Sequence, residues 1–420
     1  MTTTPRRGLA LRAYLAASHL IPLVAARVLA RRRKRGKEHP TRWQEKLGRG
    51  LAPRPDGRLV WINAVGLGEV MSLRGLIARM TAEAPDLHFV VTSTTAASAR
   101  VFAANLPART IHQFLPLDAP TYRRRFLDHF QPDLCIWAEQ DLWPGFVHDL
   151  HRRGIAQAII AARMNDAAFA RHRKAGGLYR DLYAMMALIT AQDSTTATHL
   201  STLGAQPQIS GSLKPAAPPL CCDQGALQRL QTAIGARFVW AVAPSHAADE
   251  AVAIAAHQTL RVQHPDALLI IAPRHPERRA AILANCPAPL KSQDALPGPD
   301  DPVWICDTFG DLGLVYRVTQ AVLIGGTFDA TQGHNPWEAA QLDCAILHGP
   351  QVGNFVHDFA MLNATHGAIT VTNAAQIAAA LTQRDLAGAA SAAHDAAQNA
   401  SLATDALAKD LCALLKARHD

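Results

Sequence analysis

The chain has no run of 18 uncharged apolar residues, which excludes a polytopic membrane protein. Charged residues make up only 18% and aromatic residues 6%, while apolar residues reach 49% and Gly and Pro stand at 26 each. That balance excludes a disordered acidic or basic tail, a collagen-like repeat and a coiled coil. The seven cysteines, at 135, 221, 222, 286, 306, 344 and 412, contain no CxxC pair. An odd set without that spacing suits reduced thiols in a cytoplasmic enzyme better than a secreted disulfide frame. Also missing are HExxH, CxxC…CxxC, GxSxG, EF-hand, P-loop and GxGxxG signatures. What remains is 420 residues, long enough at ~150 per domain for two or three domains. With 42 Lys+Arg against 34 Asp+Glu the formal charge is +8, so the chain is a basic, multi-domain α/β protein.

The positive charge is concentrated near the amino terminus. An apolar stretch, Gly8 to Ala30, lies between Arg6-Arg7 and the block RRRKRGK at 31–37. At ~100° per residue, Arg12 and His19 fall about 20° apart and Arg27 about 60° from Arg12. Leu9, Leu15, Leu20, Leu23 and Leu29 supply the apolar surface, and Pro22 should kink or split the helix. An amphipathic helix of this kind lies in the headgroup plane, and its basic flank meets anionic lipid at ~1 kcal/mol per residue. The competing readings are a helix packed on the protein's own core, a signal peptide and a nucleic-acid patch. The basic block opposes export, and no nucleic-acid motif accompanies it. Membrane-surface anchoring on the cytoplasmic side is therefore expected, with no nucleic-acid partner.

From residue 59 short apolar runs alternate with helical segments. Strands are expected at Leu59–Val65, His88–Ser93, Ile111–Leu117, Asp133–Glu139, Gln157–Ala162 and Ala187–Gln192. A second series is expected at Phe238–Ala243, Ala267–Ala272, Val303–Cys306, Ala321–Ile324, Ala345–Leu347 and Ala368–Val371. Between the series lies GSLKPAAPP at 211–219, which reads as a linker. The expected organisation is an anchor at 1–44, a Rossmann-like domain at 45–212, a linker at 213–219, a second such domain at 220–385 and a helix at 386–420. Two doubly wound domains facing a central cleft bind ligands at the carboxyl ends of their strands. That arrangement suits transfer of a group from a nucleotide-bound donor to an acceptor.

Four segments carry candidate chemistry. In WINAVGLGEV at 61–70, Gly66 and Gly68 permit a tight strand-to-helix turn, and Glu69 projects from the sheet rim as a candidate general base. A first-turn Glu is equally favoured by the helix dipole alone. In DLCIWAEQDLWPG at 133–145, Glu139 and Asp141 leave a strand end, and Pro144 opens a helix. This acidic pair can hold a cation, cap a helix, or bind substrate hydroxyls. Arg163 leaves another strand end. In LLIIAPRHPERR at 268–279, two prolines bracket Arg274 and His275, a pre-organised anion site or a solvated turn. Ser245 and His246 follow their strand in the same way, and DTFGDL at 307–312 reads by itself as a capped turn. In LIGGTFDATQGHNPWEAAQ at 323–341, Gly325, Gly326 and Gly333 shape a loop before a helix. His334 and Asn335 precede that helix, Glu338 sits in its first turn, and its N-terminus is a candidate phosphate site.

Taken in order, these segments resemble the 3-deoxy-D-manno-octulosonic acid (Kdo) transferases, which have the glycosyltransferase-B fold. The resemblance runs from the amino-terminal segment to about residue 370. It rests on W-x-x-A-V-x-x-G-E-V at 61–70, L-P-L-D at 115–118, E-x-(D/E)-L-W-P at 139–144 and G-S-L-K at 211–214. P-R-H-P-E-R at 273–278, D-T-F-G-D-L at 307–312, G-G-x-F…G-H-N-P-x-E at 325–338 and N-F at 354–355 complete it.

The resemblance implies transfer of Kdo from CMP-Kdo to a membrane-held lipid A precursor. CMP is a good leaving group and no DxD signature occurs, so no obligatory metal and no cofactor are expected. The resemblance puts Glu69 at the family's proposed catalytic base and Glu139 at its second acidic residue. It puts Arg274 and His275 in the donor-binding motif, and Phe309, Gly310 and Asp311 in the loop that contacts CMP. Asn335 and Glu338 fall on the nucleotide-binding helix, and Lys214 is a further expected donor contact. The chain departs from the family where E-T-E becomes Glu139-Gln140-Asp141 and where G-G-H-N becomes Gln332-Gly333-His334-Asn335. It departs again where Gly-Glu-Glu becomes Ala248-Asp249-Glu250. The rival functions are a transferase or epimerase using UDP-linked sugars and a membrane-bound, inactive scaffold.

Overall fold

The computed structural model describes residues 8–64, 67–139 and 141–416, without the side chains at 67–70, 97, 98, 101 and 104. The chain divides into two compact units, Met1–Ala217 with Leu402–Asp420, and Pro218–Ser401.

In the first unit, α1 (Leu9–Ser18) and α2 (Ile21–Lys34) precede β1 (Leu59–Asn63) and α3 (Leu67–Glu83). β2 (His88–Ser93), α4 (Ala96–Ala104), β3 (Thr110–Phe114), α5 (Pro120–Phe130), β4 (Leu134–Ala138) and α6 (Pro144–Arg152) follow. Next come β5 (Ala156–Ala162), α7 (Asp166–Arg173), α8 (Gly176–Tyr183), β6 (Leu188–Ala191), α9 (Ser194–Thr202) and β7 (Gln208–Ile209). The strands pair in parallel in the order β3-β2-β1-β4-β5-β6-β7. Every residue of β1 and β4 is buried, as a parallel sheet covered on both faces requires.

The second unit repeats the plan. It contains α10 (Gln224–Ile234), β8 (Val239–Ser245), α11 (Ala247–Leu260), β9 (Leu268–Pro273), α12 (Arg279–Leu283), β10 (Val303–Ile305) and α13 (Leu312–Tyr316). β11 (Ala321–Ile324), α14 (Trp337–Ala340), β12 (Ala345–His348), α15 (Val356–Ala364), β13 (Ala368–Thr370) and α16 (Ala374–Gln383) complete it. Its order is β10-β9-β8-β11-β12-β13, again parallel throughout. The closing helix α17 (Leu386–Lys416) serves both cores. Ala393, Ala396 and Ala397 pack in the second unit, while Leu407, Ala408, Leu411 and Leu415 pack with Leu76 and Met80 in the first. An Arg79–Asp405 ion pair fastens that second half to α3.

In each sheet the winding reverses at one place, between β1 and β4 and between β8 and β11. Loops leaving the carboxyl ends of such neighbouring strands diverge and open a crevice for ligand.

At the amino terminus the apolar stretch is split, as Pro22 leads one to expect, into two helices bent by 61° at the break before it. Pro22 sits in the first turn of α2, where its missing N–H costs nothing. Arg12, His19 and Arg27 are all exposed. Leu11 is fully buried and Leu15 packs beside it in the first-unit core, while Ala25 and Leu29 are buried along α2. Leu9, Leu20, Leu23, Val24 and Val28 remain exposed. No single described helix is long and apolar enough to cross a membrane, though α1 and α2 together pass that test by length and composition.

The expected linker is partly folded. Leu213, Pro215 and Ala216 are buried in the first unit. A Cβ on Gly75 would stand 1.9 Å from the Ala216 carbonyl oxygen, so α3 approaches this segment as closely as only glycine allows.

Candidate active site

In the second unit three strand ends supply the site. β8 delivers Ser245 and His246, β9 delivers Arg274 and His275, and β11 runs into the Gly325–Gly326 loop. Ser245 is fully buried and its hydroxyl donates to Glu250 Oε1 at 3.1 Å. Glu250 also receives Arg278 through two bonds, Nε at 3.0 Å and the second guanidinium nitrogen at 2.6 Å. Ser245 and Arg278 are therefore braces for the loops.

Asp249 is a second brace. Its buried carboxylate accepts the N–H groups of His246 at 2.9 Å, Gly326 at 2.6 Å and Phe328 at 3.3 Å. Burial raises its pKa above the usual carboxylate range, and the N–H groups of Gly326 and His246 oppose that rise. The loop closes where the Gly333 N–H donates to the Gly326 carbonyl at 2.6 Å, with φ of +70° at Gly326 and +86° at Gly333.

These braces gather three imidazoles beside Arg274. His246 Nε2 lies 2.8 Å from His334 Nε2, with the ring planes 6° apart, and the His275 ring centroid is 6.1 Å from that of His246. Burial, then the charges of His246 and Arg274, hold the pKa of His334 down to about 4. Burial would raise the Asp329 pKa, but the Thr331 hydroxyl and N–H, with His246 and His334, keep it below the usual value. Arg274 and His275 are exposed at the strand end.

Two expectations change here. The helix expected after Pro336 is only the four residues of α14. The Asn335 carboxamide takes the Trp337 N–H at 3.2 Å and donates to Glu338 Oε1 at 3.1 Å. A helix this short, with that N–H occupied, does not make the phosphate site read from the sequence. Burial raises the pKa of Glu338. The DTFGDL segment proves more than a capped turn. Buried Asp307 receives Ser292 through N–H at 2.9 Å and hydroxyl at 2.6 Å, plus Arg279 at 3.3 Å. Lys291 pairs with Asp311 at 3.0 Å. This braced loop holds Phe309 73% exposed beside Gly310, whose φ is +90°.

In the first unit Glu69 lies in the first turn of α3, immediately after β1; its side chain lies outside the described residues. Gln140 lies outside them too. Glu139 leaves β4 with φ +57°, and its N–H donates to the Ile160 carbonyl at 2.9 Å. Ala161 has φ +47°; its N–H reaches the Thr190 hydroxyl at 2.9 Å and its carbonyl takes Gln192 Nε2 at 2.9 Å. A cavity here is lined by Ser72, Glu139, Gln192, Ser212 and Lys214, among others. Lys214, expected among the donor contacts, thus belongs to the first unit beside Glu139. Asp141 and Arg163 are not among the lining residues. Ser72, Gln192 and Ser212 are not marked by any motif chemistry in the sequence, although Gln192 closes a strand run and Ser212 lies in G-S-L-K. No group of three or more His, Cys, Asp or Glu that could hold a metal ion occurs among the described residues.

The L-P-L-D segment has a structural task. Asp118 accepts the Gly145 N–H at 2.8 Å and the Phe146 N–H at 3.1 Å, capping α6 just past Glu139.

Two parallel, doubly wound units of this kind define a glycosyltransferase-B chain. A glycosyltransferase from Rickettsia africae shares the fold with a TM-score of 0.56 at 12% identity, over 86% of this chain and 100% of that one. Residues 41–217 match the family described as 3-deoxy-D-manno-octulosonic-acid transferase (kdotransferase). The 3-deoxy-D-manno-octulosonic acid transferase of Rickettsia bellii is 32% identical over 323 residues, 76% of this chain and 77% of that protein. Its namesake from Rickettsia felis is 34% identical over 300 residues, and the chain spans 64% of that relative's length. This chain belongs to the 3-deoxy-D-manno-octulosonic acid transferase family.

Proposed function

We propose that the chain transfers Kdo from CMP-Kdo to a lipid A precursor at the cytoplasmic side of the inner membrane. The observation that carries this reading is the cluster of His246, Arg274, His275 and His334 at the carboxyl ends of β8 and β9 and in the loop after β11. CMP-Kdo brings a phosphodiester and a carboxylate, and planar guanidinium and imidazole donors match both. Phe309, Gly310 and Asp311, with Gly325, Gly326, Gly333, Asn335 and Glu338, complete the donor side.

Glu69 acts as general base on the acceptor side. Its position follows β1 at the reversal of the sheet, and it precedes Ser72, which lines the Glu139 cavity, by one helical turn. In the step, Glu69 takes the proton of an acceptor hydroxyl as that oxygen attacks the anomeric carbon of Kdo. The bond from that carbon to the phosphate oxygen breaks, and CMP leaves with the electron pair, its charge met by Arg274 and the imidazole N–H donors. Glu139, Asp141, Arg163 and Lys214 hold the acceptor.

The exposed Leu9, Leu20, Leu23, Val24 and Val28, followed by Arg31, Arg32, Arg33 and Lys34 in the last turn of α2, support a peripheral seat on anionic lipid. Deleting residues 1–37 should release the protein from membranes; retention there would remove this placement.

The deciding experiment incubates the purified protein with CMP-Kdo and a tetra-acylated lipid A precursor and reads the product by mass spectrometry. Kdo-bearing lipid supports the proposal. Turnover only with a UDP-sugar discards the donor, and no turnover of either supports an inactive scaffold. Glu69→Gln should lose at least ~100-fold in rate with CMP binding intact; wild-type rates would refute the base.

A further inference from the structure

The chain passes between its two units twice, after Ala217 and before Leu402. Both passages are fastened, inside the first unit, to one side chain. Arg79 Nη1 donates to the Ala216 carbonyl at 3.1 Å and to the Gly75 carbonyl at 3.3 Å, and its Nε pairs with Asp405. A guanidinium can hold several acceptors at once because its five N–H donors form a rigid planar fork. Ala216 ends the turn Lys214–Ala216, in which the Ala216 N–H donates to Leu213 at 3.2 Å and the Ala217 N–H to Lys214 at 3.1 Å. Pro218-Pro219 follow and make the outgoing connection stiff. Asp405 lies about one turn after the return, on α17, which is unbroken from Leu386 to Lys416.

Arg79 and Asp405 are both partly exposed, and an ion pair of that kind adds little to stability. The returning half of α17 is held without it, by Leu407, Ala408, Leu411 and Leu415 packed with Leu76 and Met80. The fork therefore supplies position rather than cohesion. α3 carries Glu69 in its first turn and Ser72 at the Glu139 cavity, and the segment ending at Ala216 brings Ser212 and Lys214 to the same cavity. Arg79 thus ties two walls of that cavity to each other, and both to the helix returning from the second unit.

We propose that Arg79 is a positioning residue for the transfer step: by gripping Ala216 and Asp405 together it sets where Glu69 and Lys214 stand on the acceptor side, and it refers any movement of α17 to the helix that carries the base. The inference rests on the acceptor-side reading above and adds to it a residue that does not line the cavity. Arg79 stands about 15 Å beyond Glu69 along α3, at 1.5 Å per residue, so it acts through the helix and not on the reacting atoms. A misplacement of about 1 Å at the reacting groups can cost about 100-fold in rate. The donor residues lie in the second unit, with braces of their own.

The test uses the full-length protein with Arg79→Ala, Arg79→Lys and Asp405→Ala. Transfer from CMP-Kdo to the tetra-acylated precursor gives kcat and KM, calorimetry gives CMP affinity, and hydrogen exchange reads the amides of Ala216 and Ala217. Arg79→Ala should lower kcat by about tenfold or more and speed exchange at both amides by about tenfold or more. Its CMP affinity should stay within about twofold of the wild type, as for a distant, independent site. Asp405→Ala should lower kcat less, because the Ala216 carbonyl stays held. Arg79→Lys keeps the charge without the fork and should fall between Arg79→Ala and the wild type. An unchanged kcat in Arg79→Ala overturns the proposal, and so does a loss of CMP affinity as large as the loss of kcat, the mark of general damage. If the wild type transfers no Kdo, the functional reading falls and exchange decides the clamp alone: unaltered exchange at Ala216 and Ala217 in Arg79→Ala overturns it. Thermal unfolding confirms that each variant is folded; if Arg79→Ala is not, Arg79→Lys and Asp405→Ala decide.

Discussion

The hydroxyl of Tyr14 donates to Oδ2 of Asp118 at 2.7 Å, and the same carboxylate caps α6 through Gly145 and Phe146. Arg123 Nη1 lies 3.3 Å from Oδ1 as well. The amino-terminal helix is thus wired to the segment that carries Glu139. Tyr14→Phe removes one donor from a buried carboxylate, an expected loss of about 1–3 kcal/mol. Hydrogen exchange should locate the change in α1 and at the start of α6, leaving the second unit untouched. Unchanged protection at both places would show that the bond carries no load.

Glu139 stands in the left-handed region at φ +57°, which costs a non-glycine residue about 1 kcal/mol. Glu139→Gln keeps that strain and removes the charge; Glu139→Gly removes both. The glycine variant should therefore be the more stable of the two by up to about 1 kcal/mol in urea unfolding, with transfer impaired in both. Equal stabilities would mean that the backbone relaxes when the charge is lost.

Gly325 leaves β11 so close to β8 that a Cβ would stand 1.9 Å from the Pro244 carbonyl oxygen. Backbone cannot rotate aside as a side chain can, so Gly325→Ala must push the loop away from His246. The expected outcome is about 1–3 kcal/mol of destabilisation and lost CMP binding. Gly235→Ala has open space around its Cβ but a φ of +64°, so it controls for strain without the clash and should retain CMP binding. Retention of CMP binding by Gly325→Ala would detach the loop from the donor site.

Much of this was legible in the chain because parallel strands buried on both faces announce themselves as apolar runs. His88–Ser93 and Ala321–Ile324 occur where the runs predict them, and the rest shift by a few residues. β7 leaves no mark in the sequence because its two exposed residues, Gln208 and Ile209, have no such run. The split of the amino-terminal helix follows from Pro22, but its docking depends on Asp118, a hundred residues away, which no local pattern contains. The same limit applies to the site. Motif residues are visible as letters, yet whether a carboxylate meets substrate or braces a loop depends on long-range partners. Asp249 and Glu250 illustrate the second fate, held by Gly326 and Arg278. The change from Gly-Glu-Glu to Ala248-Asp249-Glu250 therefore bears on loop geometry before it bears on ligand contact.

Three histidines, His257 buried and His112 and His334 half-buried, bear on the acid side of the stability curve. Burial is the leading cause in each: His112 is held down to about 3, His257 to about 4 and His334 to about 4. His257 shows why the neutral form is wanted. Its Nδ1 accepts from Trp240 Nε1 at 3.1 Å while Nε2 lies 2.7 Å from the Pro302 carbonyl and donates to it. The unfolded chain protonates these rings near pH 6.5, whereas the folded chain does not. Below that pH the unfolded state binds more protons, so stability is full above about pH 6.5 and declines as the pH falls toward 4. Each ring contributes up to about 1.4 kcal/mol per pH unit in that window. The aspartates with lowered values, such as Asp307 and Asp329, begin to matter only nearer their usual range, below the window. Urea unfolding at pH 7, 6 and 5 should show the decline, and His257→Gln should lower stability at pH 7 yet flatten the slope. An unaltered slope in that variant would mean that His257 takes up its proton in the folded protein after all.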